Sequence, residues 1–485
     1  MKKISEQVMR AKSFSGGYRF KGFKGQARDE LIHIGVPSKV IIPMIREPDF
    51  PLKPAVKIGD RVFAGQVIAY EEGETASPIL SSINGRVVEI REIDHFSGKV
   101  AAVIIEGNED EDYRKVESYT PQWEELPPRK IEELLYRSGV ASLEREGIPT
   151  HFKTSTIIPE EVEDIIIYGT DSDIYNLSLG LLLKGEGAAN FVEGMKILKR
   201  IMPQARVHLA LNKERKGIIK GIRKLTSDLD GIEIYPLAPK YPLDRHEILI
   251  PTLLNKRISY GSSAADVRVV VLSVQTVLHV FEAVAEGKPL IERIVALCGP
   301  SFKENVHVKV RIGTPLEFIL KDRLKEGDHR IVANSLLTGF ELKDLSLPVD
   351  RTFSQIIAIP ENRGREFLAF LRPGLRRDSY SRSFLSAFFK AEKRVDTNLH
   401  GEERPCIQCG YCIEVCPVRI IPTLINRYIR LGIDETVVRY GIFNCIDCNL
   451  CSYVCPSKIS LARNLREAKE KLKEMGLDRT IHRGG

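Results

Sequence analysis

The period of the hydrophobic positions changes along the chain, and the changes divide it. Residues 1–25, which include SFSGGYRFKG, alternate Gly, Lys and aromatics with no period and read as an irregular arm. From Ile32 onward come KVIIPMI, AVKIGDRVFAGQVIAYE and GRVVEIRE, short β-rich runs broken by Gly, Pro or Asn. They predict a small all-β unit with turns at Gly59-Asp60 and Gly65. In RKIEELLYRSGVA, the residues Ile131, Leu134, Leu135 and Val140 fall near helical spacing. Next, the buried-strand candidates IIIYG, RVHLALN and DVRVVVLSV alternate with the helical patterns EGMKILKRIMP and TVLHVFEAVAEGKPL. Strands alternating with helices predict an α/β layer. Between 290 and 350 the pattern returns to short strands, RIVALCG, HVKVRIG and HRIVANS, as in a small β-grasp-like insert. Residues 350–400 are mixed and basic.

The fold class expected is therefore multidomain, α/β and α+β. VKIGDRVFAGQVIA followed by SSINGRVVEI is similar to the barrel-sandwich domains that carry biotin or lipoate. Those domains place a modified lysine in a hairpin. Here EEGETASPILSS has no lysine, so the expectation is the scaffold without the swinging arm.

The chemistry is concentrated near the C-terminus. CIQCGYCIEVCP at 406–417 and CIDCNLCSYVCP at 445–456 repeat one spacing, C-x2-C-x2-C-x3-C-P, and take eight of the nine cysteines. Three thiolates at steps of three can wrap one iron–sulfur cube, and the cysteine before proline ligates the other cube in two-cluster ferredoxins. This assigns Cys406, Cys409, Cys412 and Cys455 to one [4Fe–4S] cluster, and Cys445, Cys448, Cys451 and Cys416 to a second. Pro417 and Pro456 turn the chain away. Gly410 is expected to let the backbone pass close to sulfur. Ile407, Val415, Ile446 and Val454 are expected to exclude water and bias the potentials low. Zinc knuckles lack the third step and the CP ending, and the run is too regular for disulfides. Cys298, alone in IVALCGP, reads as a small core hydrophobe.

Composition adds bounds. The chain has 485 residues, 43% hydrophobic and 28% charged, with a net charge of +7. That is ordinary for a globular protein of several domains. No apolar run reaches the ~18 residues of a membrane helix, and MKKISEQVMRAKSF has no secretory h-region. The mild charge permits an acidic partner or an anionic membrane surface. No motif favours nucleic acid. SLARNLREAKEKLKEMG reads as a helix with a solvated, Glu–Lys-supported face. GEGAAN at 185–190 approximates a dinucleotide fingerprint but reads as a helix junction. His151 and His246 have no visible catalytic partner and read as polar or packing residues.

The order FSGGY, VKIGDRVFAGQVIA, SSINGRVVEI, GIPTHFK, then Tyr241-Pro242 with Glu247, Leu249 and Ile250, then FEAVAEGKPLIERIVAL, VKVRIGTPL and the two cysteine motifs, resembles the RnfC family, the C subunit of the Rnf electron transport complex. The resemblance runs over nearly the whole chain. It implies an arm and barrel-sandwich domain (1–125) and an FMN/NADH-type α/β domain similar to the flavoprotein subunit of respiratory complex I (126–289). An SLBB β-grasp domain (290–350), a helical linker (351–399) and a dicluster ferredoxin domain (400–485) follow. It implies a peripheral subunit on the cytoplasmic face of the cell membrane, partnered by the other Rnf subunits and passing electrons between NADH and membrane partners. A flavoprotein or ferredoxin is the other partner class. The segment FLAFLRPGLRRDSYSRSFLSAF is similar to part of the A subunit of the sodium-pumping NADH:quinone reductase.

The flavin segments depart from the family. The family's loop resembles GLGGAGFPTHxK, whose glycines cradle phosphates; here it is SLEREGIPTHFK. Gly147, Pro149, Thr150, His151 and Lys153 keep the pattern, while Leu143, Glu144, Arg145 and Glu146 replace glycines and small residues. YGTDSDIY keeps Gly169, Asp171 and Asp173 against the family's NGAECEPY, and Asp244 and Arg245 stand where the family has paired glycines. The implied FMN/NADH contacts are Gly147, Thr150, Lys153, Gly169, Asp171 and Asp173, in a loop where two carboxylates disfavour a phosphate. The expectation is an electron-transfer subunit relaying single electrons through two clusters, with no catalytic side chain. An FMN-dependent NADH dehydrogenase subunit and an assembly scaffold with structural clusters are the alternatives.

Overall fold

The computed structural model describes residues 12–45, 52–70, 78–95, 98–140, 161–362, 374–381, 385–389, 391–398 and 402–478. The β-rich stretch forms two antiparallel sheets. One orders Lys39–Pro43, Gly98–Gly107, Gly85–His95 and Arg61–Val62; the other orders Lys53–Pro54, Val67–Tyr70 and Ile79–Leu80. Alternation along these strands sends Val40, Ile42, Val62, Ile68, Val87, Val103 and Ile105 into one core. Gly59 takes a φ of +94° in the turn read from the sequence, where the Asp60 carboxylate accepts the Lys57 N–H at 2.8 Å.

A four-stranded parallel sheet follows, ordered Ile232–Leu237, Arg206–Asn212, Asp164–Gly169, Val269–Ser273. Three of these strands are the apolar runs read from the sequence; Ile232–Leu237 was not among them. Helix Glu186–Ile201 packs on helix Val274–Phe281. Gly194 makes the approach close, since a Cβ there would stand 2.4 Å from the Val277 carbonyl oxygen. The GEGAAN glycines serve this helix. Gly185 caps its start at a φ of +56°, and a Cβ on Gly187 would meet the Leu182 carbonyl oxygen at 2.1 Å. Strand order reverses between Asp164–Gly169 and Val269–Ser273, so the sheet has a switch point at the carboxyl ends of these strands, where open α/β sheets bind ligands.

A six-stranded mixed sheet orders Leu31–His33, His307–Arg311, Glu292–Cys298, Gln355–Pro360, His329–Ala333 and Phe340–Glu341. Its edge strand, Leu31–His33, comes from just past the arm and pairs in parallel with His307–Lys309. Cys298 is fully buried in this sheet, and burial pushes its thiol up to about 12. It is the packing residue read from the sequence.

The last segment is helical: Tyr411–Glu414, Pro422–Arg430, Asp434–Arg439, Leu450–Tyr453 and Leu461–Glu474. The Leu461–Glu474 helix is not wholly solvated. Leu461, Leu465 and Leu472 are buried at helical spacing, and Lys469 turns inward to donate to the Cys445 carbonyl oxygen at 2.9 Å. Among the described residues, no helix is long and apolar enough to cross a membrane.

Candidate iron–sulfur centres and the sheet edge beside them

The two cysteine motifs are structural repeats as well as sequence repeats. Each residue of the first has its counterpart 39 positions on, as 445 − 406 = 39. Positive φ recurs in matched pairs: Gln408 and Asp447 (56° and 53°), Gly410 and Asn449 (79° and 64°), Arg419 and Lys458 (59° and 58°). Each motif then enters a four-residue helix, Tyr411–Glu414 or Leu450–Tyr453. Gly410 is therefore explained by its left-handed φ. A Cβ there would meet no protein atom within 4 Å.

The thiols group across the repeats. Cys406, Cys409, Cys412 and Cys455 line one hollow, together with Ile407, Thr423 and Ile459. Burial first, and then the neighbouring thiols of Cys409, Cys455 and Cys406, push the Cys412 thiol up to about 11. Cys451 is raised well above the ordinary thiol range by burial, then by Cys448, Cys445, Cys416 and Cys412. Burial likewise pushes Cys448 up to about 11 and Cys445 up to about 12. Cys455, the last cysteine of the second motif, thus lines a hollow with the first three of the first motif, and Cys416 lies near enough to act on Cys448 and Cys451. Among the described residues, no three His, Cys, Asp or Glu side chains are placed to hold a single metal ion. Four soft sulfur donors around an apolar hollow fit an iron–sulfur cube, whose binding would deprotonate the thiols outright. Polar groups stand ready to tune it: the Gln408 N–H points to Cys406 Sγ at 3.4 Å, and Thr423 Oγ1 lies 3.4 Å from the same sulfur.

The repeats differ in cover. Val415, Val454 and Ile446 pack in one apolar group with Tyr241 and Leu450. Ile407 lines the hollow of the first set but is 66% exposed. Among the described residues, the arm reaches the last part of the first motif, at Val415 and Cys416, and Tyr453 of the second, but not Ile407.

The arm is the feature that the sequence pattern left without a role. Gly17 N–H donates to the Val415 carbonyl oxygen at 2.8 Å, and Tyr18 exchanges two backbone bonds with Tyr241. A Cβ on Gly16 would stand 2.4 Å from the Cys416 carbonyl oxygen. The Tyr241 hydroxyl donates to the Cys448 carbonyl oxygen at 3.0 Å. Tyr18 and Tyr453 hydroxyls both donate to Asp378, at 2.8 and 2.6 Å. Tyr241 and Arg245 belong to the loop that leaves strand Ile232–Leu237 at its carboxyl end, and the Arg245 charge lowers the pull of burial on Cys448. The Cys448 site therefore abuts the carboxyl-end edge of the parallel sheet. The paired glycines of SFSGGY were the one sequence signal for this close approach.

Of the flavin-type residues, Gly147, Thr150 and Lys153 lie outside the described residues, as does His151. Gly169 is packed against Leu211 and Val274, each 3.0 Å from where a Cβ would stand. The Asp173 carboxylate accepts the Ile174 N–H at 2.6 Å in a local turn with Asn176. Asp171 is driven up to about 6 by burial, against the pull of Arg215 at 4.0 Å and Asn212 at 3.5 Å; its second oxygen has no hydrogen-bond partner among the described residues. Arg215 also pairs with Asp29, whose carboxyl is pushed up by burial but held well below the usual range by Arg215, Lys184 and Ser178. At the same edge, Ser172 donates to Asp244 at 2.9 Å. An orphaned buried carboxylate oxygen at the switch-point edge is compatible with a polar ligand there, while Gly169 and Asp173 are already accounted for by packing and a turn.

Comparison with known proteins agrees with this division. Residues 12–110 match the RnfC barrel sandwich hybrid domain, 135–282 the Nuo51 FMN-binding domain, 294–344 the NQRA C-terminal (SLBB) domain, and 405–459 the 4Fe-4S dicluster domain. The chain is 25% identical over 419 residues to the C subunit of the proton-translocating ferredoxin:NAD(+) oxidoreductase complex of Clostridium ljungdahlii, covering 86% of this chain and 84% of that one. It is 24% identical over 396 residues to the C subunit of the Na(+)-translocating ferredoxin:NAD(+) oxidoreductase complex of Acetobacterium woodii, covering 81% of each. It is 27% identical over 467 residues to the C subunit of the ion-translocating oxidoreductase complex of Pasteurella multocida, covering 95% of this chain but 52% of that one.

Proposed function

We propose, for a chain that belongs to the RnfC family, that it relays single electrons as the iron–sulfur subunit of an Rnf-like membrane-associated oxidoreductase complex. The observation that carries this reading is the pair of crossed four-thiol sets, one of them bonded through Tyr241 and Cys448 to the carboxyl-end edge of the parallel sheet. Two [4Fe–4S] clusters would be held by Cys406, Cys409, Cys412 and Cys455, and by Cys445, Cys448, Cys451 and Cys416; they supply one-electron chemistry when bound. The chain's own residues position and insulate. The arm seals the second site, Arg245 places positive charge beside Cys448, Lys469 pairs with Asp447 and donates to the Cys445 carbonyl oxygen, and Val415 and Val454 keep water out. The order that follows is from the sheet edge to the Cys448 set, then to the Cys406 set at the surface. Its place is the cytoplasmic face of the membrane, against the other subunits of the complex.

A second reading makes this chain the point at which NADH delivers electrons, through FMN at the switch-point edge. The match of 135–282 to the Nuo51 FMN-binding domain and the orphaned Asp171 oxygen favour it. Anaerobic purification followed by iron analysis and visible spectra decides between the two. The relay reading expects about eight irons per chain, clusters that dithionite reduces, and no bleaching by NADH with FMN added. FMN-dependent bleaching by NADH would establish the second reading; a chain that takes up no iron would sink both.

A further inference from the structure

The internal repeat serves as its own control. The step of 39 residues that relates the cysteine motifs also carries the start of helix Pro422–Arg430 onto the start of helix Leu461–Glu474, and Arg430 onto Lys469. It carries Gln408 onto Asp447. At this place both repeats hold a positive φ, and the Asp447 N–H reaches Cys445 as the Gln408 N–H reaches Cys406. The side chains differ. Gln408 is neutral and exposed, and Arg430 turns outward to Glu403 at 3.1 Å. Asp447 carries a charge, is partly buried, and pairs with Lys469, which is buried.

This pair stands against a cysteine of the second set. One Asp447 carboxylate oxygen lies 3.8 Å from Cys445 Sγ. The other takes the Lys469 ammonium, which also donates to the Cys445 carbonyl oxygen at 2.9 Å. Besides burial, the two charges act on the Cys445 sulfur in opposite senses, the carboxylate ahead of the ammonium. Two further cations stand near the thiols, one for each set. Arg245 acts on Cys448, and Lys458 lies beside Cys455. They match across the repeats, so the carboxylate with its ammonium is the charge difference that remains.

We propose that Asp447, with Lys469 as its buried counter-ion, sets the reduction potential of the cluster held by Cys445, Cys448, Cys451 and Cys416, and of that cluster alone. This rests on the reading of the two thiol sets as cluster sites. Reduction adds one negative charge, so a carboxylate beside a ligand sulfur lowers the potential and an ammonium raises it. The carboxylate outweighs the ammonium at this sulfur. Burial works in the same sense, since it disfavours the added charge. Gln408 applies no such charge to the first set. The second cluster is thereby held below the first, which is the sense that transfer from the sheet edge toward Cys406 requires. Lys469 is a positioning residue: it fixes the carboxylate against Cys445 and limits the drop.

The test uses the full, iron-loaded chain. Midpoint potentials of the two clusters are read by spectroelectrochemical titration, with iron content measured on every variant. Asp447→Asn should raise one wave and shift the electron equilibrium between the clusters about tenfold, which is ~59 mV for one electron. Lys469→Gln should lower the same wave, while Lys469→Arg, which keeps the charge, should leave it near the wild-type value. The double variant Asp447→Asn/Lys469→Gln removes both charges together and serves if either single variant loses iron. Its wave should fall between those of the wild type and Asp447→Asn. Gln408→Asp should lower the other wave. A wave unmoved by Asp447→Asn in an iron-replete chain overturns the proposal. So does equal movement of both waves, or a double variant below the wild type. A wild-type chain that takes up no iron would overturn the cluster reading and this proposal with it; two wild-type waves that no substitution moves would overturn the proposal alone.

Discussion

The Tyr241 hydroxyl donates a 3.0 Å hydrogen bond to the Cys448 carbonyl oxygen, across 207 residues of chain. One end lies on the loop at the carboxyl edge of the parallel sheet and the other inside a cysteine motif. Both residues are buried, so Tyr241→Phe would leave the carbonyl oxygen without that donor. The expected cost is about 1–3 kcal/mol, measured by urea unfolding of the loaded chain. A spectroelectrochemical titration should show one of two cluster waves displaced and the other unmoved. Displacement of both waves, or of neither, would mean that Tyr241 does not act on the Cys448 set.

Gly16→Ala should detach the arm, because two effects coincide there. The φ of +69° costs an alanine about 1–2 kcal/mol, and its methyl would meet the Cys416 carbonyl oxygen at 2.4 Å. Gly35→Ala shares the positive φ, +78°, but a Cβ there meets nothing within 4 Å. Both variants should lose some stability. Only Gly16→Ala should speed the bleaching of one cluster in air, followed as the decay of visible absorbance. Equal bleaching rates in the two variants would show that the arm does not seal the second site.

The contrast between these glycines also marks what the sequence made legible. The dicluster motif was readable because ligand spacing is a local code, and Asp164–Gly169, Arg206–Asn212 and Val269–Ser273 because buried parallel strands are unbroken apolar runs. Contacts that close over hundreds of residues leave no period. Gly16 meets Cys416, and Leu31–His33 joins the strand His307–Arg311, through sterics and pairing that a one-dimensional pattern does not carry. Ile232–Leu237 escaped because its burial alternates with exposure, and Gln355–Pro360 because it is embedded in a basic, irregular stretch. The unequal cover of Ile407 and Ile446 was hidden for the same reason. Both are isoleucines at the same place in C-I-x-C, and tertiary packing separates them.

Asp171 gives a pH dependence with a definite sign. Its carboxyl is pushed from 3.8 up to about 6 by burial. A folded pKa above the unfolded value means that the folded chain holds the proton more tightly. The resulting stabilisation is full below pH ~3.8 and is lost as pH rises to about 6. At 1.36 kcal/mol per unit, the ionised form costs the fold roughly 3 kcal/mol above that window. Asp171→Asn should therefore stabilise the chain at neutral pH relative to wild type, with the advantage shrinking toward pH 4. Urea midpoints measured across this range check it. A wild-type advantage that grows with pH would show that Arg215 outweighs burial.

The crossing of the fourth cysteines is the sharpest point to test. Cys455 lies four residues after Cys451 in sequence but lines a hollow with Cys406, Cys409 and Cys412. Cys416, four after Cys412, is among the thiols acting on Cys448 and Cys451. If ligation followed sequence, Cys455→Ser would damage the same cluster as Cys448→Ser. The spatial grouping demands the reverse: Cys455→Ser should share its defect with Cys406→Ser, and Cys416→Ser with Cys448→Ser. Each variant should fall from about eight irons toward about four, or keep an altered cluster. Electron paramagnetic resonance of the reduced chain tells which signal changes. Cys298→Ser, buried in the six-stranded sheet, should lose stability through an uncompensated hydroxyl while its iron content stays at the wild-type level. Pairing of the spectra by sequence rather than by space would require the two thiol sets to be reassigned. It would also remove the asymmetry that places the Cys406 set at the surface and the Cys448 set against the sheet.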